Sequence, residues 1–410
     1  MGRRNGGPGT ARAAESLAAR VSARVSTLTD NLVRTLHEQH PGYRTVGVPD
    51  DDLWRSCHDN LCSVLELIAD GTDRGPAETD TRYDAARATG RRRAEQRMPL
   101  DDVLRSFRLG GRLVWEALIE QAHTDDSVDT DDLLDVATQV WEVVDATSAQ
   151  VAAAYHATSR DLVRADEQRR AALWEGLLHG RAQDMAFQYE ASRIIDVPVD
   201  TPYAVVVADV GPDSDQAMIT LRRRLSTEDI RSAWQVRADT LVGLLALKSS
   251  TVDAAATALR DVLTVPAGLS LVVPGLADVD TAYRQAVLAR RTLPPGGNGI
   301  AVLAERLPEA LLLSAPALAD QLVHRWLGGL LALPAPERRQ LLGTLEIWAA
   351  TGGSIQRTAA AAVCHRNTVI NRLQRMQAIT GHDFTDPAGQ VELALALRAA
   401  SLLLPGHPTF

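Results

Sequence analysis

The 410-residue chain has little cysteine, few aromatics, and no long uncharged apolar run. Three cysteines (Cys57, Cys62 and Cys364) are too few for a disulfide framework and have no metal-ligand spacing, so a reducing, cytoplasmic setting is expected. No apolar stretch approaches ~18–20 residues without a charge or proline, which excludes a membrane-spanning helix on sequence grounds. The Gly-rich basic start, residues 1–12, is followed by no apolar signal region. It lacks a hydroxyl residue at Gly6, where a myristoylation signal needs one, and is expected to be a disordered tail.

Catalytic signatures are missing too. There is no Walker loop, no G-x-G-x-x-G, no H-E-x-x-H and no G-x-S-x-G. No His, Cys and carboxylate cluster has zinc spacing. Acid runs such as Asp50-Asp51-Asp52 and Asp131-Asp132 fall at expected helix starts, where the helix dipole accounts for them. No catalytic residue, metal or cofactor is expected. His37, His58, His123 and His156 are scattered and are expected at surfaces or core edges.

Most informative is a local absence. The chain carries 52 acidic against 43 basic residues, a formal charge of −9, yet no Asp or Glu occurs from Thr351 to Thr380. A basic patch cleared of acid within an acidic protein suits a polyanionic partner. The window itself reads as helix, tight turn, helix. Ser354 is placed to cap the first helix, and Val369, Leu373 and Met376 recur at the three-four spacing of a buried face. On the opposite face fall Asn367, Asn371, Gln374 and Arg375, with Arg366 and Thr368 at the N-terminal tip and Arg372 on the flank. Asn and Arg pair bidentately with adenine and guanine edges, while Thr and flanking Arg hold phosphate. Arg366, Asn367 and Asn371 are therefore base-reading candidates, and Arg357, Thr368, Arg372 and Arg375 phosphate candidates. Cys364 precedes this reading helix. A small core thiol is its expected role, and a redox switch the alternative.

The residues Leu341-Leu342, Gly352-Gly353-Ser354, Thr358-Ala359, His365-Arg366-Asn367-Thr368-Val369, Arg372-Leu373, Thr380-Gly381 and Asp386-Pro387, with the final helix 391–404, resemble the C-terminal helix-turn-helix domain of PucR/CdaR-type bacterial transcriptional regulators. Where that family usually has Arg and an aromatic, this chain has Ile370 and Asn371, so its preferred DNA sequence does not carry over.

Upstream, residues 13–166 read as almost wholly helical, over about 15–39, 51–69, 80–96, 100–122 and 130–161. Breaks are expected at Pro41-Gly42, Gly71, Gly75-Pro76, Pro99 and the acidic stretch 125–132. Short connections between long helices predict a bundle. Around Met98-Pro99-Leu100-Asp101-Asp102 it resembles the N-terminal domain of RsbRD-type stress regulators. Arg91-Arg92-Arg93 is expected to be a solvated helix face. A helical connector, 167–198, follows, with Trp174, Leu177 and Leu178 on one face. Residues 199–306 then alternate strand and helix character, with strands at about 203–209, 232–237, 240–246, 269–273 and 300–303 and helices at about 214–225, 252–263 and 279–291. This is the ferredoxin-like order, and the segment resembles the GGDEF-like domain of the same regulators. Where a diguanylate cyclase carries its signature loop, this chain has Arg237-Ala238-Asp239-Thr240, and Gly296-Gly297 comes only later. The domain is therefore read as catalytically empty.

The expected architecture is multidomain and mostly α with a central α+β domain. It comprises the bundle, a degenerate GGDEF-like ferredoxin-like domain, a proline-broken hinge at 307–336, and the helix-turn-helix domain at 337–404. The expected protein is a cytoplasmic, effector-responsive regulator binding double-stranded DNA as a homodimer or higher homo-oligomer, its effector a small molecule or a protein. The alternative is a catalytically inactive nucleotide-binding protein or a stress-signalling scaffold acting through protein partners.

Overall fold

The computed structural model describes residues 8–39, 42–43, 47–70, 81–124, 128–211, 214–247, 251–294, 297–384 and 386–404. The chain divides into two compact units, residues 1–168 and 169–410. The expected breaks at Pro41, Gly71, Gly75-Pro76 and 125–127 lie outside the described residues, as do Gly296 and the start of the tail.

The first unit is helical. Helix α1 (Pro8–Ser22) begins inside the stretch expected to be a tail. Helix α2 (Val25–Gln39) is separated from it at Ala23 and Arg24, a break with no glycine or proline to announce it. Then come α3 (Asp50–Asp70), α4 (Asp84–Glu95), α5 (Leu100–Ala122) and the first part of α6 (Thr130–Leu178). Asp129 caps α6 by accepting the Asp132 amide at 2.8 Å. Leu17, Leu36, Leu53, Ile68, Val114 and Val140 fill one core. Gly111 lets α5 approach α6, because a Cβ there would lie 2.6 Å from Val144 Cγ2.

The Arg91–Arg93 run is not the solvated face expected. Only Arg91 is exposed. Arg93 is 1% exposed and donates to Asp52 Oδ2 at 2.8 Å, while Arg92 pairs with Oδ1 of the same carboxylate. Burial pushes the Asp52 pKa up, but hydrogen bonds from Arg92, Arg93 and Gln96 outweigh it and bring the value down to about 2. The partner sits some forty residues upstream, beyond any local pattern.

Helix α6 runs unbroken through the first part of the expected connector. It stops where Gly180 adopts a left-handed φ of 83°. Its last turns, with Trp174, Leu177 and Leu178, and α7 (Met185–Ile195) pack on one face of the central sheet. That sheet contains β1 (Tyr203–Asp209), β2 (Arg231–Arg237), β3 (Thr240–Ala246), β4 (Ala267–Leu269) and β5 (Ile300–Val302), in the order β2-β3-β1-β4-β5. The first four are antiparallel neighbours, and β5 joins β4 in parallel. This is the ferredoxin-like arrangement with one added strand. Alternate residues of β1 serve opposite layers. Tyr203, Val205 and Val207 meet α7 and α10 (Val279–Arg291), whereas Ala204, Val206 and Ala208 meet α8 (Ser214–Thr227) and α9 (Val252–Arg260).

Strand β4 is shorter than expected because Ser270 interrupts the ladder. Its hydroxyl takes the Val205 amide at 2.9 Å, and pairing resumes only at Val273 with Tyr203.

The prolines of the expected hinge break the chain into separate helices by starting each one: α11 (Leu307–Ser314), α12 (Pro316–Leu331) and α13 (Ala335–Ala350) each have Pro at N1 or N2. Trp326, Leu327 and Leu330 of α12 share a core with Leu341, Leu345 and Trp348 of α13. Helices α14 (Ile355–Ala361), α15 (Arg366–Thr380) and α16 (Pro387–Leu403) complete that domain, with Met376, Leu393 and Leu397 in the same cluster.

Candidate nucleic-acid interface

Helices α14 and α15 form the helix-turn-helix. Two glycines in left-handed conformation, Gly352 and Gly353, end α13 and reverse the chain. Ser354 then caps α14, its hydroxyl facing the Arg357 amide at 3.4 Å. Thr358, fully buried, links α14 back to α13 through a 2.8 Å contact with Thr351 Oγ1.

The turn between the helices is closed by two backbone bonds, Cys364 N–H to Ala359 C=O at 3.0 Å and Val363 N–H to Ala360 C=O at 3.3 Å. This is a Schellman closure, and it places Val363 in the left-handed region at φ 50°. A β-branched side chain there is strained, and it is 92% exposed, so no burial compensates. Cys364 beside it is half-buried. His365 caps α15, its Nδ1 accepting the Asn367 amide at 3.2 Å, and Gly381 (φ 73°) ends it.

Val369 and Met376 of α15 are fully buried, and Leu373 packs at the edge of the same core. The other side of the helix is open. Asn367, Asn371 and Arg375 are exposed at successive i, i+4 positions, which makes them one ridge. Arg366 is exposed at the helix start, Gln374 beside the ridge and Arg357 on α14, while Thr368 is half-buried. Amide and guanidinium groups on such a ridge can contact base edges, and the positive end of the helix dipole at Arg366 favours phosphate nearby.

Two candidates have partners that the sequence did not reveal. Arg372 is half-buried and donates from Nη1 to Thr344 Oγ1 at 3.0 Å, so it braces α15 against α13 as well as flanking the ridge. Arg375 lies 3.4 Å from Glu337 Oε1 on α13. The acid-free window is thus a property of the sequence alone, since the fold brings a carboxylate to its edge. Glu346, half-buried on α13, has its pKa pushed up to about 7 by burial.

The domain is tied to the preceding one through α11. Ala310 packs with Ala289, Ala301 and Leu303 of the central domain, and Glu309 pairs with Arg398 of α16 at 3.7 Å. The hairpin joining β2 and β3 is a two-residue turn, Ala238-Asp239, with Ala238 at φ 39°.

Three family descriptions match this chain. Residues 26–170 match the RsbT co-antagonist protein RsbRD N-terminal domain, 179–292 the GGDEF-like domain, and 341–399 the PucR C-terminal helix-turn-helix domain. An uncharacterized protein in the pkwA 5′ region of Thermomonospora curvata is 34% identical over 143 residues, covering 35% of this chain and 78% of that protein. The purine catabolism regulatory protein of Bacillus subtilis is 33% identical over 143 residues, which is 34% of this chain but only 27% of that relative. A crystal structure of a regulator of polyketide synthase expression from Bifidobacterium adolescentis is 21% identical, covering 57% of this chain and 92% of that one with a TM-score of 0.32. With its RsbRD-type, GGDEF-like and PucR-type domains in that order, the chain belongs to the PucR/CdaR-type family of bacterial transcriptional regulators.

Proposed function

We propose that this regulator binds promoter DNA by laying α15 in the major groove. Arg366, Asn367 and Asn371 read base edges, and Arg357, Thr368, Arg372 and Arg375 hold phosphate. The observation that carries this reading is the exposed ridge of Asn367, Asn371 and Arg375 opposite buried Val369 and Met376. One such module offers a small footprint, so the working form is a homodimer or higher homo-oligomer that presents two reading helices to a repeated or palindromic site. No described helix is long and apolar enough to cross a membrane, and we place the protein in the cytoplasm.

We assign the domains as 13–166 for sensing, 199–306 for the GGDEF-like domain and 337–404 for DNA binding, with an effector acting through the first two. The GGDEF-like domain works without catalysis in this account. The two-residue turn at Ala238-Asp239 supports that reading, because it offers neither glycine flexibility nor paired acids for a nucleotide and metal. Incubation with GTP is expected to yield no cyclic dinucleotide.

Selecting bound fragments from the host's genomic DNA tests the main claim. A shared sequence element is expected, and Asn367→Ala is expected to change the preference among fragments. Random recovery, with the same pattern for the variant, would refute base reading by this helix.

A further inference from the structure

Between α2, α3, α4, α5 and α6 the helical bundle of the first unit leaves a half-open cavity of about 40 Å³. Leu32 of α2, Leu61 and Val64 of α3, Phe107 and Val114 of α5 and Val144 of α6 wall it. Polar side chains border it too, but their polar groups are tied to the protein. Tyr43 donates to Ser106 at 2.9 Å, Ser106 to the Val103 carbonyl at 2.6 Å, and Thr147 to the Val143 carbonyl at 2.7 Å. Asn60 Nδ2 donates to Thr89 Oγ1 at 2.7 Å, and Arg93 Nη1 to Asp52 Oδ2 at 2.8 Å. Burial pushes the pKa of the Cys57 thiol up to about 12, so it stays neutral. The accessible wall is therefore almost wholly apolar.

A void in a packed core is destabilising, and the sequence keeps this one open at Gly110. The next residue, Gly111, is required by packing, since a Cβ there would lie 2.6 Å from Val144 Cγ2. No such clash applies to Gly110. A Cβ there would lie 3.6 Å from Leu32 Cδ2 and 4.0 Å from Leu61 Cδ2, ordinary contacts with side chains that line the cavity. Alanine at this position would fill the space and also favour the helix, because glycine weakens a helix interior. The glycine and the apolar wall together point to an apolar occupant. A dry cavity of about 150 Å³ holds the six carbons of benzene, so about 40 Å³ takes roughly two. The open side lets a longer chain continue outward.

We propose that this cavity binds the end of an unbranched alkyl chain, its last two carbons inserted beside Gly110 and the remainder lying toward the open side. This deepens the sensing role given to residues 13–166 and rests on that reading for its regulatory meaning. Occupancy is measured without DNA, so failure here and failure of the DNA-binding reading are separate results. Binding that leaves DNA affinity unchanged supports the site and refutes only the sensing role.

Methyl nuclear magnetic resonance on the full chain with 1-butanol as probe tests it. Saturable shifts are expected at the Leu32, Leu61 and Val114 methyls. Two buried carbons are worth at least about tenfold in affinity. The branched isomer tert-butanol, too wide to insert, is expected to bind more weakly by that factor. Gly110→Ala is expected to abolish the 1-butanol shifts, with a melting temperature unchanged or raised showing that the variant folds. No saturable shift in the folded parent would overturn the proposal. So would shifts that survive Gly110→Ala, or equal affinity for the two isomers.

Discussion

Glu337 is the clearest place to test the electrostatics of the interface. It stands 3.4 Å from Arg375, with the two side chains 38% and 59% exposed. For Arg375 to reach a phosphate, this pair must open. Exposed pairs of this kind are worth about 0.2–1 kcal/mol, so Glu337→Gln is expected to return about that much to binding. At RT of about 0.59 kcal/mol this is roughly 1.4- to 5-fold tighter binding at low salt. Releasing Arg375 for phosphate should also steepen the dependence of log Kd on log salt by up to about one unit. Fluorescence anisotropy on a selected duplex, titrated at several salt concentrations, measures both quantities. Arg375→Ala in the Glu337→Gln background closes the cycle and should remove the gain. Unchanged or weaker binding by Glu337→Gln, or a gain that survives loss of Arg375, would refute the role given to Arg375.

Val363 occupies a left-handed position that costs an L-residue roughly 1–2 kcal/mol, against roughly 0.4–1 kcal/mol of extra unfolded-state entropy for glycine. Val363→Gly is therefore expected to stabilise the C-terminal domain by about 0.5–1 kcal/mol, read as slower hydrogen exchange of the α14 and α15 amides. Glu346 has a folded pKa of about 7 against an ordinary value of 4.5, so it ionises more readily unfolded than folded. Its contribution to stability is full below pH 4.5 and falls as pH rises toward 7. Glu346→Gln should flatten that slope in a series of melting temperatures over this pH range. Gly268→Ala is expected to disrupt the central domain, because the new Cβ would lie 2.1 Å from the Ala286 carbonyl oxygen, and backbone cannot move aside as a side chain can. Loss of near-ultraviolet dichroism in that variant checks it.

The local parts of the site were legible from sequence for physical reasons. Ser354 as a cap, Val369 and Met376 as a buried stripe, and the exposed Asn367 and Asn371 all follow from helix period and capping chemistry, which act within a few residues. What stayed hidden depended on distant partners. Arg93 looked like surface charge because Asp52 lies on another helix, and Arg372 and Arg375 looked free because Thr344 and Glu337 lie on α13. Nor did any signal mark Val363 as the left-handed residue of the turn, since glycine is the usual occupant. The prolines at 308, 316 and 336 stand at N1 or N2, so the breaks legible from them are helix starts, and one of these helices contributes Trp326 to the C-terminal core. In the central domain the strand order followed from the alternation of strand and helix, but the shortening of β4 rests on the Ser270 hydroxyl standing in for a backbone acceptor.

Most directly, the account is tested by the affinity of the full chain carrying Arg366→Ala and Asn371→Ala for a duplex recovered from the host genome. The double variant is expected to keep its fold but lose its preference for that duplex over a scrambled one of equal length, retaining only salt-sensitive residual binding. Undiminished preference for the recovered duplex in the folded double variant would contradict the assignment of α15 as the reading helix.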